Sequence, residues 1–294
     1  MVSPDILRQM EPAPPPGPGR PVARARYERY VAFGDSSAEG LDDPDGRGGY
    51  RGWADRLADR LAAAQGSVLY ANLAVRGRRT RQVLEEQLPA VLELRPELAA
   101  LVTGTNDFVR RRFDLEAVCA DVERLQRELV AAGATVVTFT LPDLSPVMPL
   151  ASRLGPRVAA FDEALRRISA ETGAILVDLA AHPVASDPRL WSADRLHANA
   201  RGHERIAAAL AAALGLPGTD DAWAAPLPAA PRPSRGRRLA AEAAGLRRHL
   251  LPWVWRHLRG RASGDGRAPT RPRLEAVEAR AGAPVEEGGY PPRR

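Results

Sequence analysis

Ser36 lies in Gly34-Asp35-Ser36-Ser37, directly after an apolar run. A serine hydroxyl in such a turn is a useful nucleophile only where a base takes its proton as the new bond forms. His197 can supply that base, because an imidazole titrates near neutrality. Asp194, in Asp194-Arg195-Leu196-His197, stands three residues earlier and can receive the proton of the other ring nitrogen. Two further segments carry hydrogen-bond donors suited to a developing oxyanion: Asn72-Leu73-Ala74-Val75-Arg76-Gly77 and Gly104-Thr105-Asn106-Asp107. A glycine amide is approachable because no Cβ shields it, and the Asn106 side chain can donate from its amide. Taken singly, Asp194 could be a loop or cap aspartate, Gly77 a turn glycine and Asn106 a turn residue. Together, the four segments hold the parts of an acyl-transfer site.

Positioning these parts requires a scaffold, and apolar runs alternating with helical patterns supply one. Five strands are predicted: Tyr30 to Phe33, Val68 to Ala71, Ala99 to Val102, Thr135 to Phe139 and Ala174 to Val177. Helical spacing is seen in Leu57, Leu61 and Ala64, in Val118, Val122, Leu125 and Leu129, and in Val158, Phe161, Leu165 and Ile168. Gly133 and Gly173 fall where helix C-caps belong, and Asn199 is placed to cap a last helix running to about Leu214. This alternation predicts a parallel sheet covered by helices on both faces. In such sheets the ligand crevice lies beyond the carboxyl ends of the strands, and three of the four segments fall there. The fourth lies between the fifth strand and the last helix.

The four blocks resemble those of the SGNH, or GDSL-type, esterase and lipase family, over roughly Tyr30 to Leu214. That resemblance implies a three-layer α/β/α sandwich with a five-stranded parallel sheet, flavodoxin-like in strand order 2-1-3-4-5. It implies Ser36 as nucleophile, His197 as base and Asp194 as its partner. Gly77, Asn106 and the Ser36 amide would form the oxyanion hole. The chain departs from the family at Ser37, where the first block usually carries leucine; this should tune the turn without removing chemistry.

Composition narrows the alternatives. The 42 basic residues are all arginine, so a phosphate-loop lysine, a Schiff-base lysine and a Ser-Lys dyad are ruled out. Cys119 is the only cysteine, which excludes an internal disulfide and a Cys-based zinc site; it reads as a small buried hydrophobe. No histidine cluster has metal-ligand spacing and no glycine-rich loop has a phosphate-binding pattern, so no metal and no cofactor is expected. Among the other histidines, His182 precedes Pro183, His203 sits on the last helix, and His249 and His257 lie in a basic tail. All four read as structural or solvated. Trp53 is expected to pack under its helix, and Arg110-Arg111-Arg112 reads as a solvated charge run.

The expected domains are a Pro-rich disordered segment over 1–26, a hydrolase domain over 27–218, and a basic low-complexity tail over 219–294 with a helical segment near 237–261. Net charge is +6 for the chain, +7 of it in the tail and −3 in residues 30–218, so the high isoelectric point does not assign nucleic acid to the active site. Trp253 and Trp255 among arginines give the tail an amphipathic stretch suited to weak contact with an anionic membrane. The N-terminus lacks an uninterrupted apolar core and no stretch approaches roughly 20 apolar residues, so a cytoplasmic protein is expected. The reading that follows is a serine hydrolase cleaving a small-molecule carboxylic ester through an acyl-enzyme at Ser36. Thioester hydrolysis, carbohydrate deacetylation or acyl transfer could use the same parts. The reading from another class is an interaction protein that binds membrane or nucleic acid through its tail.

Overall fold

A computed structural model describes residues 26–47, 49–145, 147, 153–229 and 264–279. All but Arg26 of the N-terminal segment, and the helical segment near 237–261 with its membrane contact, lie outside these residues. Six strands form one sheet: β1 (Arg29–Gly34), β2 (Ser67–Asn72), β3 (Leu98–Val102), β4 (Thr135–Phe139), β5 (Ile175–Val177) and β6 (Arg271–Glu278). Their spatial order is β5-β4-β3-β1-β2-β6. The first five are parallel and reproduce the 2-1-3-4-5 arrangement. β6 runs antiparallel to β2, so the five-stranded parallel sheet expected from the sequence gains a sixth strand from beyond residue 218.

Its physical cause is the open edge of β2, whose unpaired backbone groups accept another strand. β6 is mostly exposed, as an edge strand should be, with Leu274 and Val277 packed towards opposite faces of the sheet. Pro272 is tolerated there because an edge strand need not donate every amide, and the pairing is irregular between Tyr70 and Asn72.

Eight α-helical segments follow the strands among the described residues: α1 (Ser36–Glu39), α2 (Gly52–Gln65), α3 (Thr80–Gln82), α4 (Leu88–Glu93), α5 (Thr105–Phe108), α6 (Leu115–Ala131), α7 (Gly155–Thr172) and α8 (Ala200–Ala213). On one face, α2 and α8 pack Trp53, Leu57, Leu61 and Leu210 over Tyr30, Val137 and Phe139. The opposite face buries Val83, Leu88, Leu125 and Leu129 over Val31, Phe33, Leu101 and Val136. A smaller cluster joins α6 to α7 through Val122, Phe161, Leu165 and Ile168. Cys119 belongs to it and is buried.

Between α3 and α4 the chain makes one π-helical turn, Val83–Gln87. Pro89, at the second position of α4, cannot donate to an i−4 carbonyl and would crowd it, so the wider turn just before it relieves the conflict. The turn also aims Gln87 at β1, where its amide donates to Gly34 O at 2.9 Å and its carbonyl accepts from Gly34 N at 2.8 Å. That pair fixes the end of the strand from which the Ser36 turn departs.

Candidate active site

Each block is held by its own local chemistry before the blocks meet. Asp35 caps α1 by accepting from Ser37 N at 3.0 Å, which puts Ser36 in the first helical position. The Ser37 hydroxyl accepts from the Trp53 indole at 3.2 Å, so the residue that departs from the family pattern ties the turn to α2. Trp53 itself is fully buried and packs edge-on to Phe139. Asn72 ends β2 and donates to Ala38 O at 2.7 Å, while Asp107 accepts from Thr80 N and Oγ1 at 2.9 Å. Asp107 thus braces the start of α3.

The fourth block is a narrow loop closed by a bridge between Trp191 and Ala198. Asp194 Oδ1 accepts the amides of Leu196 and His197 at 2.9 and 3.0 Å, and Arg195 between them takes the left-handed conformation (φ 60°) that this tight turn requires. Asn199 caps α8 by accepting from Arg201 N and Gly202 N.

These elements bring three of the sequence-predicted side chains into one line. His197 Nε2 lies 2.8 Å from Ser36 Oγ, and His197 Nδ1 lies 2.5 Å from Asp194 Oδ2. Burial alone would lower the imidazole pKa, but the hydrogen bond and charge of Asp194 outweigh it and raise the pKa above the ordinary value, assisted by Asp42 and Asp35 wherever those are ionised. Asp194 is half-buried, which would raise its pKa, yet its bonds to His197 and Ser192 hold its carboxyl well below the usual range.

Asn106 stands at the same rim. Its Nδ2 donates to Arg78 O at 3.0 Å and approaches Asp35 Oδ2 at 3.4 Å. Burial pushes the Asp35 carboxyl up to about 7, against the opposing Ser37 amide bond. Gly77 lies between Arg76 and Arg78 with φ 79°, a conformation open to glycine at little cost.

Several participants were not singled out from the sequence. Glu39 is buried at the end of α1, three residues after Ser36, and binds Arg76 twice, accepting the Arg76 amide at 2.7 Å and pairing with its guanidinium. Acid and base lie 37 positions apart, so no local spacing announces the pair. Ser192 Oγ sits 2.6 Å from both Asp194 Oδ1 and Asp42 Oδ2. One hydroxyl hydrogen cannot serve both oxygens at once, and burial raises the pKa of Asp42. Asp42, Asp194 and His197 are grouped closely enough to hold a cation, but their facing atoms are engaged with one another and with Ser192.

Of the rival histidines, His203 is buried and neutral: burial pulls its pKa down to about 4. Its Nδ1 accepts from Trp53 N and its Nε2 donates to Leu41 O, both at 3.1 Å. His182 packs edge-on to Trp223. His249 and His257 lie outside the described residues, and Arg110, Arg111 and Arg112 are exposed.

The line of Ser36 and His197 opens into a cavity of about 1170 Å³. Phe108, Leu141, Leu154 and Val158 line it on one side, with Leu190, Ile206 and Trp223 among its other apolar walls.

Residues 32–205 match the model of the GDSL-like Lipase/Acylhydrolase family, more than half of the chain. The chain belongs to this family. It is a carboxylic ester hydrolase. Solved structures share its fold. TesA is 23% identical with a TM-score of 0.53, covering 63% of this chain and 97% of its own. LAE5, an alpha/beta hydrolase enzyme from the metagenome of Lake Arreo, Spain, is 24% identical (TM-score 0.52; 66% and 98% covered). Axe2, an acetylxylan esterase from Geobacillus stearothermophilus, is 18% identical (TM-score 0.54; 64% and 94% covered). No curated protein sequence matches the chain. Among the described residues no helix is long and apolar enough to cross a membrane.

Proposed function

We propose that this hydrolase works through an acyl-enzyme at Ser36. The observation that carries the reading is the continuous hydrogen-bonded line from Ser36 Oγ through His197 to Asp194. His197 Nε2 takes the serine proton as Oγ attacks the ester carbonyl carbon, while Asp194 holds the Nδ1 proton and stabilises the imidazolium. Charge moves onto the former carbonyl oxygen, towards the amides of Ser36 and Gly77 and the Asn106 Nδ2 hydrogen that otherwise makes only the long 3.4 Å contact with Asp35. Collapse of the intermediate breaks the bond to the alcohol, which leaves with the proton from His197. Water then enters, loses a proton to His197, and attacks the acyl carbon; the carboxylic acid departs and Ser36 regains its proton.

The cavity supports an apolar acyl or alcohol portion, since its walls offer far more apolar surface than an acetyl group can fill. Anionic-membrane contact by the tail would be an addition to this activity, not a replacement for it.

The test is hydrolysis of p-nitrophenyl esters of increasing acyl length by wild type, Ser36→Ala and His197→Ala. Both variants should lose activity by about 10⁴-fold or more, and the wild type should prefer chains longer than acetyl. Activity kept by Ser36→Ala would remove Ser36 as the nucleophile.

A further inference from the structure

We propose that Gly264 is a positioning residue for the oxyanion hole: the segment leading into β6 sets the orientation of the Arg76–Gly77 peptide. This rests on the preceding reading, in which the Gly77 amide is an oxyanion donor. The segment lies beyond the family match, which ends at residue 205, so it is an addition made by this chain to the shared domain.

The pairing of β6 with β2 places it there. Asn72, the last residue of β2, is opposite Arg271, the first of β6. Residues 264–270, just before β6, are therefore brought to the loop that carries Val75, Arg76 and Gly77. Gly264 is buried against that loop, and a Cβ on it would lie 2.0 Å from Arg76 O, 3.2 Å from Arg76 C and 3.0 Å from Val75 Cγ1. Only a glycine can come so close without displacing the backbone.

The contact matters because a peptide is a rigid plane. Arg76 C=O and Gly77 N–H belong to the same unit, so an atom pressed against that oxygen fixes where the amide hydrogen points. The neighbours are already held. Arg76 N donates to Glu39 at the end of α1, and Arg78 O accepts from Asn106. Gly77, with its permissive φ, is the free joint between these anchors, and a rotation of the 76–77 plane would leave both of them intact. The Gly264 backbone closes that freedom from outside. The same strap reaches the site itself: Asp265 comes within 4.0 Å of the Arg78 guanidinium, and Asp265 and Arg267 both line the cavity. Where the strap joins β6 it is fastened by Arg271, which pairs with Asp55 at 3.3 Å and stacks over Tyr70.

Gly264→Ala in the full chain is the test, because the Gly264 backbone lies outside the left-handed region and alanine changes only the packing. The expected result is a fall in kcat of about 10- to 100-fold, the range of a weakened oxyanion donor, with KM little changed. Binding of an alkyl boronic acid, whose tetrahedral adduct on Ser36 presents an oxygen to the same donors, should weaken by a similar factor. Arg271→Ala loosens the strap without a clash and should give a smaller loss of the same kind, again in kcat. A folded Gly264→Ala enzyme with wild-type kcat and boronate affinity would overturn the proposal. If Gly264→Ala does not fold, wild-type kcat in Arg271→Ala would overturn it. Either result beside an inactive Ser36→Ala enzyme leaves the serine mechanism standing, whereas an active Ser36→Ala enzyme removes the reading beneath both.

Discussion

Ser36 and His197 meet at 2.8 Å across 161 positions of sequence, and neither approaches the other through its own loop alone. Gln87 fixes the end of β1, from which the Ser36 turn departs. The bridge of Trp191 to Ala198 projects the loop of His197 from α8. His203, one turn into that helix, then joins the two sides by bonding Trp53 N and Leu41 O, and Leu41 N in turn donates to Ser36 O. In the proposed mechanism this second histidine therefore positions the reacting pair without contacting the ester.

The pH dependence of kcat/KM should report His197. The base must be neutral, and Asp194 raises its pKa, so activity should fall on acidification through a midpoint above the ordinary imidazole value of 6.5. A pH–rate profile on a neutral ester checks this; a midpoint below 6.5 would contradict it.

Ser192 should be a supporting hydroxyl. Ser192→Ala removes one of the acceptor bonds of Asp194 and leaves Asp42 without its 2.6 Å partner. A bond to a charged group is worth about 1.5 kcal/mol or more, so kcat should drop about tenfold with KM unchanged. Ser192→Thr, which keeps the hydroxyl, should recover most of the loss in steady-state kinetics.

Asn106→Ala should cost about 10²–10³ in kcat if its amide reaches the oxyanion. The variant also leaves Arg78 O without its donor, so comparison with Asn106→Leu, which retains roughly the size but carries neither amide hydrogens nor charge, tells donation from packing. Equal losses in the two variants are the expected result.

His203 makes a separate, measurable contribution to acid sensitivity. Its folded pKa is lowered to about 4, so between pH 6.5 and 4 the unfolded chain binds a proton that the native state refuses. Stability attributable to this residue therefore declines as pH falls through that window. Urea unfolding at several pH values should show a shallower decline in His203→Gln than in wild type.

Much of this was legible in the sequence for a physical reason: strands buried on both faces are continuous apolar runs, and the blocks sit at their ends. Thr135–Phe139 is β4 as predicted, and Asn199 caps α8 as its position before an apolar pattern indicates. β6 was not legible. Arg271-Pro272-Arg273 reads as a solvated basic tail, and what recruits it is backbone pairing with the exposed edge of β2, which side-chain composition does not encode. The links of Glu39 to Arg76, Ser192 to Asp42 and Gly264 to Arg76 were hidden for a related reason. Each joins residues that only the finished sheet brings together, and glycine in particular announces a close approach only once its neighbour is known.

The most direct test of the central claim is covalent trapping. An alkyl fluorophosphonate loses fluoride to an activated serine and leaves a phosphonyl ester that peptide mass spectrometry can place. The account predicts one adduct per chain, on Ser36, formed in step with loss of esterase activity, absent in Ser36→Ala and much slower in His197→Ala. Full inactivation with the adduct on another residue, or esterase activity that survives complete labelling of Ser36, would contradict it.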